Sequence, residues 1–236
     1  SLPSLKAPFV FSCFNHTIFD MQVLTHELGH AFAGYMAMRS QPIADFYSES
    51  TDIAEIHSMS MEQFAYPYAE WFFGDQADKF RFAHLQEALT FVPFGVAVDE
   101  FQHICYAHPE MTPKERTYQW HLLEEKYMPW RRYEDDAFME RGGYWYHKLH
   151  IYLYPFYYIN YTLTTMGAME FKKKYAENRD AAWQDYLKLC KTGGSRSYLE
   201  TLRYANLANP FEPGSVERAY GYAEEILLRQ IAEQAK

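Results

Sequence analysis

The chain has 236 residues, of which 48% are hydrophobic and 19% aromatic, with a formal net charge of −9. It is long enough to bury a substantial core and too apolar to be disordered. The acidic balance argues against nucleic acid as the partner, because a phosphate backbone needs a basic surface. No run of about 18 apolar residues reads as a membrane span, and no basic region followed by an apolar run reads as a signal peptide.

Three cysteines, Cys13, Cys105 and Cys190, lie far apart with no C-x-x-C pair. An odd count without pairing points to a reducing compartment, here the cytoplasm, with all three thiols expected as buried small hydrophobes.

In chain order, Pro8-Phe9-Val10-Phe11 follows an abrupt Ser-Leu-Pro start, which reads as a domain entered partway through, and residues 8–14 suit a short strand. Residues 18–38 form a Pro-free apolar helix, with Thr17 as N-cap and Asp20 completing an imperfect capping box. Ser50 or Thr51 caps a second helix from Asp52 to about Phe64, continuing past Pro67 with a kink. Residues 76–107 are helical in pattern with an interruption at Pro93, and Thr112-Pro113 with Glu115 opens another helix.

Gly142-Gly143 is either a loop that closes over a ligand or a helix-terminating turn. A Tyr-rich helical segment, 144–169, carries Pro155, and short helices over about 170–190, 197–206 and 215–234 complete the chain. The expectation is a mainly α, multi-helical zincin-type domain, at most a short strand near the N-terminus, and one domain over 1–236.

The chemistry centres on His26-Glu27-Leu28-Gly29-His30. Four residues are about one helical turn, so both imidazoles leave one face and can share a tetrahedral zinc. Glu27 lies beside the water that the metal carries, whose pKa the zinc lowers, and can accept its proton as general base. Gly29, with no side chain, allows another segment to approach closely. The competing reading is an ordinary helix with two hydrogen-bonded histidines, but H-E-x-x-H arises by chance in a chain this long only about once in a hundred. A catalytic zinc needs a third protein ligand. On the second helix Asp52, Glu55 and Glu62 share one face, and spacing alone does not choose among them.

Phe11-Ser12-Cys13-Phe14-Asn15, Val23 to Phe32 and Phe46 to Glu55 resemble oligoendopeptidase F and the thimet-oligopeptidase-like zinc peptidases. The resemblance implies Glu55 as third ligand to one Zn2+ per chain, an almost wholly helical fold, and cleavage of short unfolded peptides within a channel. In thermolysin-type enzymes an acid four residues past the third ligand supports a histidine. Here that position is Met59, which moves the support to Glu62, with Asp52 a further candidate.

The family also carries a His followed by tyrosines facing the zinc, matched by Lys148 to Tyr161. The i, i+4, i+7 spacing puts Tyr154, Tyr158 and Tyr161 on one helical face, whereas Tyr157 points elsewhere on the helix and is expected to pack. Imidazole and phenol donors suit a tetrahedral oxyanion. His150 and Tyr158 take that role, and Tyr154 and Tyr161 bind substrate. Without the resemblance, an aromatic core stripe is an equal reading. His16, His57, His84, His103, His108, His121 and His147 show no ligand spacing and are read as surface or core.

Relatives of this kind carry a large helical region ahead of the zinc helix. The reading is therefore the C-terminal catalytic part of a longer endopeptidase, acting on oligopeptides and partnered by its own missing N-terminal region. The alternatives are a zinc-binding fragment that is inactive without that region, and a zinc exopeptidase.

Overall fold

The computed structural model describes residues 2–234. Eleven α-helices are present among them: α1 Ile18–Ser40, α2 Thr51–Phe64, α3 Glu70–Phe73, α4 Ala77–Ala107, α5 Pro113–Tyr127, α6 Ala137–Glu140, α7 Leu149–Leu153, α8 Ile159–Glu177, α9 Arg179–Thr192, α10 Tyr198–Tyr204 and α11 Ser215–Gln234. The mainly α expectation holds. The short strand does not form. Residues 8–14 are irregular, and the described residues hold only an isolated bridge between Leu2 and Ala7. A single strand without a neighbour leaves its polar backbone unpaired.

The local signals at helix starts act as expected. The Asp20 carboxylate accepts from the backbone N–H groups of Asn15, His16 and Thr17 at 3.1, 2.6 and 3.2 Å. Thr112 and Glu115 form a reciprocal box, with Thr112 N–H donating to Glu115 Oε2 at 2.7 Å and Glu115 N–H to Thr112 Oγ1 at 3.3 Å. Pro93 does not interrupt its helix, since α4 runs through it.

The chain forms two compact units, one holding the residues up to Leu89 and those from Leu163 onward, the other Thr90–Thr162. The boundaries fall inside α4 and α8, not in a linker. In the first unit, α1 and α2 pack face to face over a core of Ala33, Ile53, Ile56, Phe64, Phe171, Tyr186 and Leu189. The second unit has its own core around Phe101, Trp120, Leu123 and Trp145.

The thiols depart from expectation. Only Cys190 is buried, Cys105 is half-buried and Cys13 is exposed; all three are free. Among the described residues, no helix is long and apolar enough to cross a membrane.

Candidate active site

In the first unit, His26 and His30 project from α1 toward Glu55 of α2. Glu55 Oε2 lies 3.1 Å from His26 Nε2 and 3.4 Å from His30 Nε2. Among the described residues these three form the one group suited to a metal ion, with ligand atoms within 4.8 Å of one another. Two imidazoles and one carboxylate fit a tetrahedral divalent ion with an open fourth position. Glu27 is half-buried on the same helix.

Burial works against charge on His26, but its hydrogen bonds to Glu55 and Glu62 outweigh that and hold its pKa up at about 10. Burial likewise works against charge on Glu55, yet His26 and His30 hold its carboxyl well below the usual carboxylate range. Carboxylates gathered around an imidazole keep a proton on it; a metal ion supplies the same positive charge.

Glu62, about two turns along the same face of α2 from Glu55, lies 2.7 Å from His26 Nδ1 through Oε1. Met59 faces the hydroxyls of Thr165 and Thr164 at 3.4 and 3.7 Å. Asp52 pairs with neither histidine; its Oδ1 is buried without a hydrogen-bond partner.

Two histidines read as ordinary carry more than that. His84 of α4 is buried, with Nε2 2.7 Å from Glu62 Oε2. His57 is buried with Nδ1 3.3 Å from Glu49 Oε1, off the line of a hydrogen bond. Glu49, also missed, comes from the loop before α2. His84 and Glu62 lie 22 positions apart on different helices, so no local periodicity links them.

The second unit gathers the tyrosines around His150, but not along a continuous helix. Helix α7 ends at Leu153, Phe156 turns the chain with φ 62°, and α8 begins at Ile159. Pro155 explains the break, since it disfavours helical backbone at the residue before it. Tyr154, Tyr158 and Tyr161 thus do not share one helical face. The turn still brings rings together: His150 lies 5.1 Å from Tyr158 edge-on, 5.8 Å from Tyr161 and 6.3 Å from Tyr154, centroid to centroid. Tyr157 does not pack elsewhere, because its ring stacks on His150 at 6.3 Å with a 10° interplanar angle.

Tyr158 is buried and accepts a hydrogen bond from Lys148 Nζ at 3.3 Å. Burial, with Tyr144 nearby, pushes its phenol up to about 12. Gly142, at φ 96°, makes a tight turn, and a Cβ there would sit 2.2 Å from the Thr117 carbonyl oxygen.

Two imidazoles and a glutamate aimed at one point, with another glutamate behind the first imidazole, make up a donor set that could hold a divalent metal ion. The chain belongs to peptidase family M3, whose family model matches residues 3–221. It is 28% identical over 198 residues to an oligoendopeptidase F homolog of Borreliella burgdorferi, covering 80% of this chain and 32% of that protein. Among solved structures, PZ peptidase A with an inhibitor is 47% identical, with a TM-score of 0.89, 96% of this chain covered and 40% of that one. A protein provisionally named oligoendopeptidase F is 49% identical, with a TM-score of 0.88 and coverage of 95% and 40%. The chain thus spans about two-fifths of the solved relatives and a third of the curated one.

Proposed function

We propose that this chain is the zinc-binding catalytic part of an endopeptidase that hydrolyses oligopeptides. The observation that carries the reading is the convergence of His26, His30 and Glu55 within 4.8 Å, on helices of a chain matched by the family M3 model. When bound, zinc supplies Lewis acidity to a water and to the scissile carbonyl. Glu27 takes a proton from the attacking water and delivers it to the leaving amine nitrogen. His150 and Tyr158 donate hydrogen bonds to the oxyanion, and Tyr154 and Tyr161 hold the peptide. That assignment rests on the resemblance and on the donors' own clustering. The three free cysteines support a reducing, cytoplasmic setting.

The test pairs metal analysis with cleavage of a quenched fluorescent peptide. Glu27→Gln is expected to keep stoichiometric zinc and lose roughly 10²–10⁴-fold in kcat. Cleavage that survives the change removes Glu27 as general base. Mass spectrometry of products from an end-blocked peptide separates internal cleavage from terminal trimming.

A second reading is favoured by the coverage of two-fifths of the solved relatives. In it the chain holds zinc but turns over only together with the remainder of such an enzyme. Stoichiometric zinc with no hydrolysis by the chain alone supports that reading.

A further inference from the structure

Glu62 is held at both oxygens by imidazoles. Oε1 lies 2.7 Å from His26 Nδ1 and Oε2 lies 2.7 Å from His84 Nε2. The other nitrogen of His84, Nδ1, lies 2.7 Å from the Tyr66 hydroxyl. Gln63 hydrogen-bonds that hydroxyl in turn, and Gln63 Oε1 accepts from Lys172 Nζ at 3.1 Å. Lys172 also stands 3.4 Å over the Tyr66 ring. His84, Tyr66, Gln63 and Lys172 are all buried.

The direction of each bond follows from what each group can do. A carboxylate only accepts, so His84 Nε2 carries a hydrogen and donates to Glu62. In the neutral ring Nδ1 is then the acceptor, so Tyr66 O–H donates to it. The Tyr66 oxygen is left to accept, which makes Gln63 the donor through its amide nitrogen. That turns the Gln63 carbonyl toward Lys172, as found. From the other side, His26 Nδ1–H donates to Glu62 and leaves Nε2 as the nitrogen turned toward Glu55. The bonds on both sides of Glu62 point toward it.

We propose that His84, Tyr66, Gln63 and Lys172 are positioning residues for the metal centre. Together they form a one-way hydrogen-bond relay that anchors the Glu62 carboxylate. A carboxylate held at one oxygen turns about its terminal torsion, whereas held at both it keeps Oε1 on His26 Nδ1. That fixes the tautomer and ring orientation of His26 with Nε2 free to bind metal. The inference rests on the reading that His26, His30 and Glu55 hold zinc.

The experiment measures the zinc Kd of the 236-residue protein by competition with a chromophoric chelator, alongside thermal unfolding of the metal-free form. Glu62→Gln is expected to weaken zinc roughly 10–100-fold, and His84→Leu about tenfold, as for outer-sphere partners of other metal histidines. Tyr66→Phe keeps the ring and removes only the hydroxyl, so it tests the relay even where His84→Leu does not fold; about a threefold loss is expected. His84→Gln places an amide nitrogen where Nε2 was and restores most of the affinity.

A purely structural role predicts something different. Metal-free stability falls while His84→Gln binds zinc no better than His84→Leu, or the folded Tyr66→Phe and His84→Leu proteins stay within about twofold of the parent. Either result overturns the relay. If Glu55→Ala abolishes zinc in the same series, the metal site stands without it. A parent chain that binds no zinc overturns both.

Discussion

Gly29 of α1 lies against the backbone of α2 so closely that a Cβ on it would sit 2.6 Å from Ser58 Cα and 2.7 Å from the His57 carbonyl oxygen. Ser58 is one turn past Glu55, and its hydroxyl donates to Glu55 Oε2 at 2.9 Å. The glycine within the H-E-L-G-H stretch therefore sets the distance between the helix that carries the imidazoles and the one that carries the carboxylate.

Gly29→Ala is expected to destabilise the protein and weaken zinc binding together. Alanine improves helix propensity by about 1 kcal/mol, but backbone cannot yield to a contact this short as a flexible side chain can, and overpacking costs about 1–3 kcal/mol. The second effect wins. Thermal unfolding and a zinc titration check this; a more stable variant with unchanged zinc affinity refutes it.

Zinc binding is expected to release about one proton per site at neutral pH. In the metal-free protein burial disfavours charge on His26, but Glu55 and Glu62 hold its pKa at about 10, above the ordinary 6.5. The metal takes Nε2 and the proton leaves, so affinity rises up to about tenfold per pH unit through the neutral range. The same shift stabilises the metal-free fold fully below pH 6.5, and that contribution is lost as pH rises through about 10. Calorimetry in buffers of different ionisation enthalpy counts the protons, and no release at pH 7.5 contradicts the assignment.

Lys172 has the opposite sign. Burial, with Arg81 nearby, lowers it to about 7 from an ordinary 10.5, so over that interval the unfolded chain binds a proton that the folded one does not. Stability from this group rises with pH between those values, and the cost of burying its charge is present in full below about 7. Lys172→Met is therefore expected to gain most against the parent at pH 6, with the gain shrinking toward pH 10. Denaturant midpoints at the two pH values test this, since groups common to both proteins cancel in the difference.

What was legible in the sequence was local. The caps at Thr17–Asp20 and Thr112–Glu115 need only neighbours three residues away, and the His26–His30 helix shows its face by a four-residue spacing. Glu55 could not be separated from Asp52 and Glu62 by spacing, because all three share a face; only the resemblance chose. His84 was unreadable because its partner comes from another helix, 22 residues back. The tyrosine segment failed differently. An i, i+4, i+7 pattern presumes an unbroken helix, and Pro155 breaks this one: the chain turns at Phe156 and gathers the same rings by a different route. Residues 8–14 have strand composition, but the described residues of this mainly helical fold offer no strand for them to pair with.

Tyr158 provides the sharpest test in the second unit. With its phenol pushed up to about 12, it remains an O–H donor across the working pH range. Lys148 Nζ donates to its oxygen at 3.3 Å, which leaves the Tyr158 proton free to point elsewhere. Lys148 is itself lowered by burial and by Arg131. If the hydroxyl stabilises the oxyanion, Tyr158→Phe lowers kcat by roughly 10²–10³-fold with KM little changed. Lys148→Met is expected to have a smaller effect in the same direction, because the phenol stays while one of its anchors goes. These rates are measured in a form of the enzyme that turns over peptide. A variant that raises KM and leaves kcat intact would instead make Tyr158 a substrate-holding group, bound as tightly in the ground state as in the transition state.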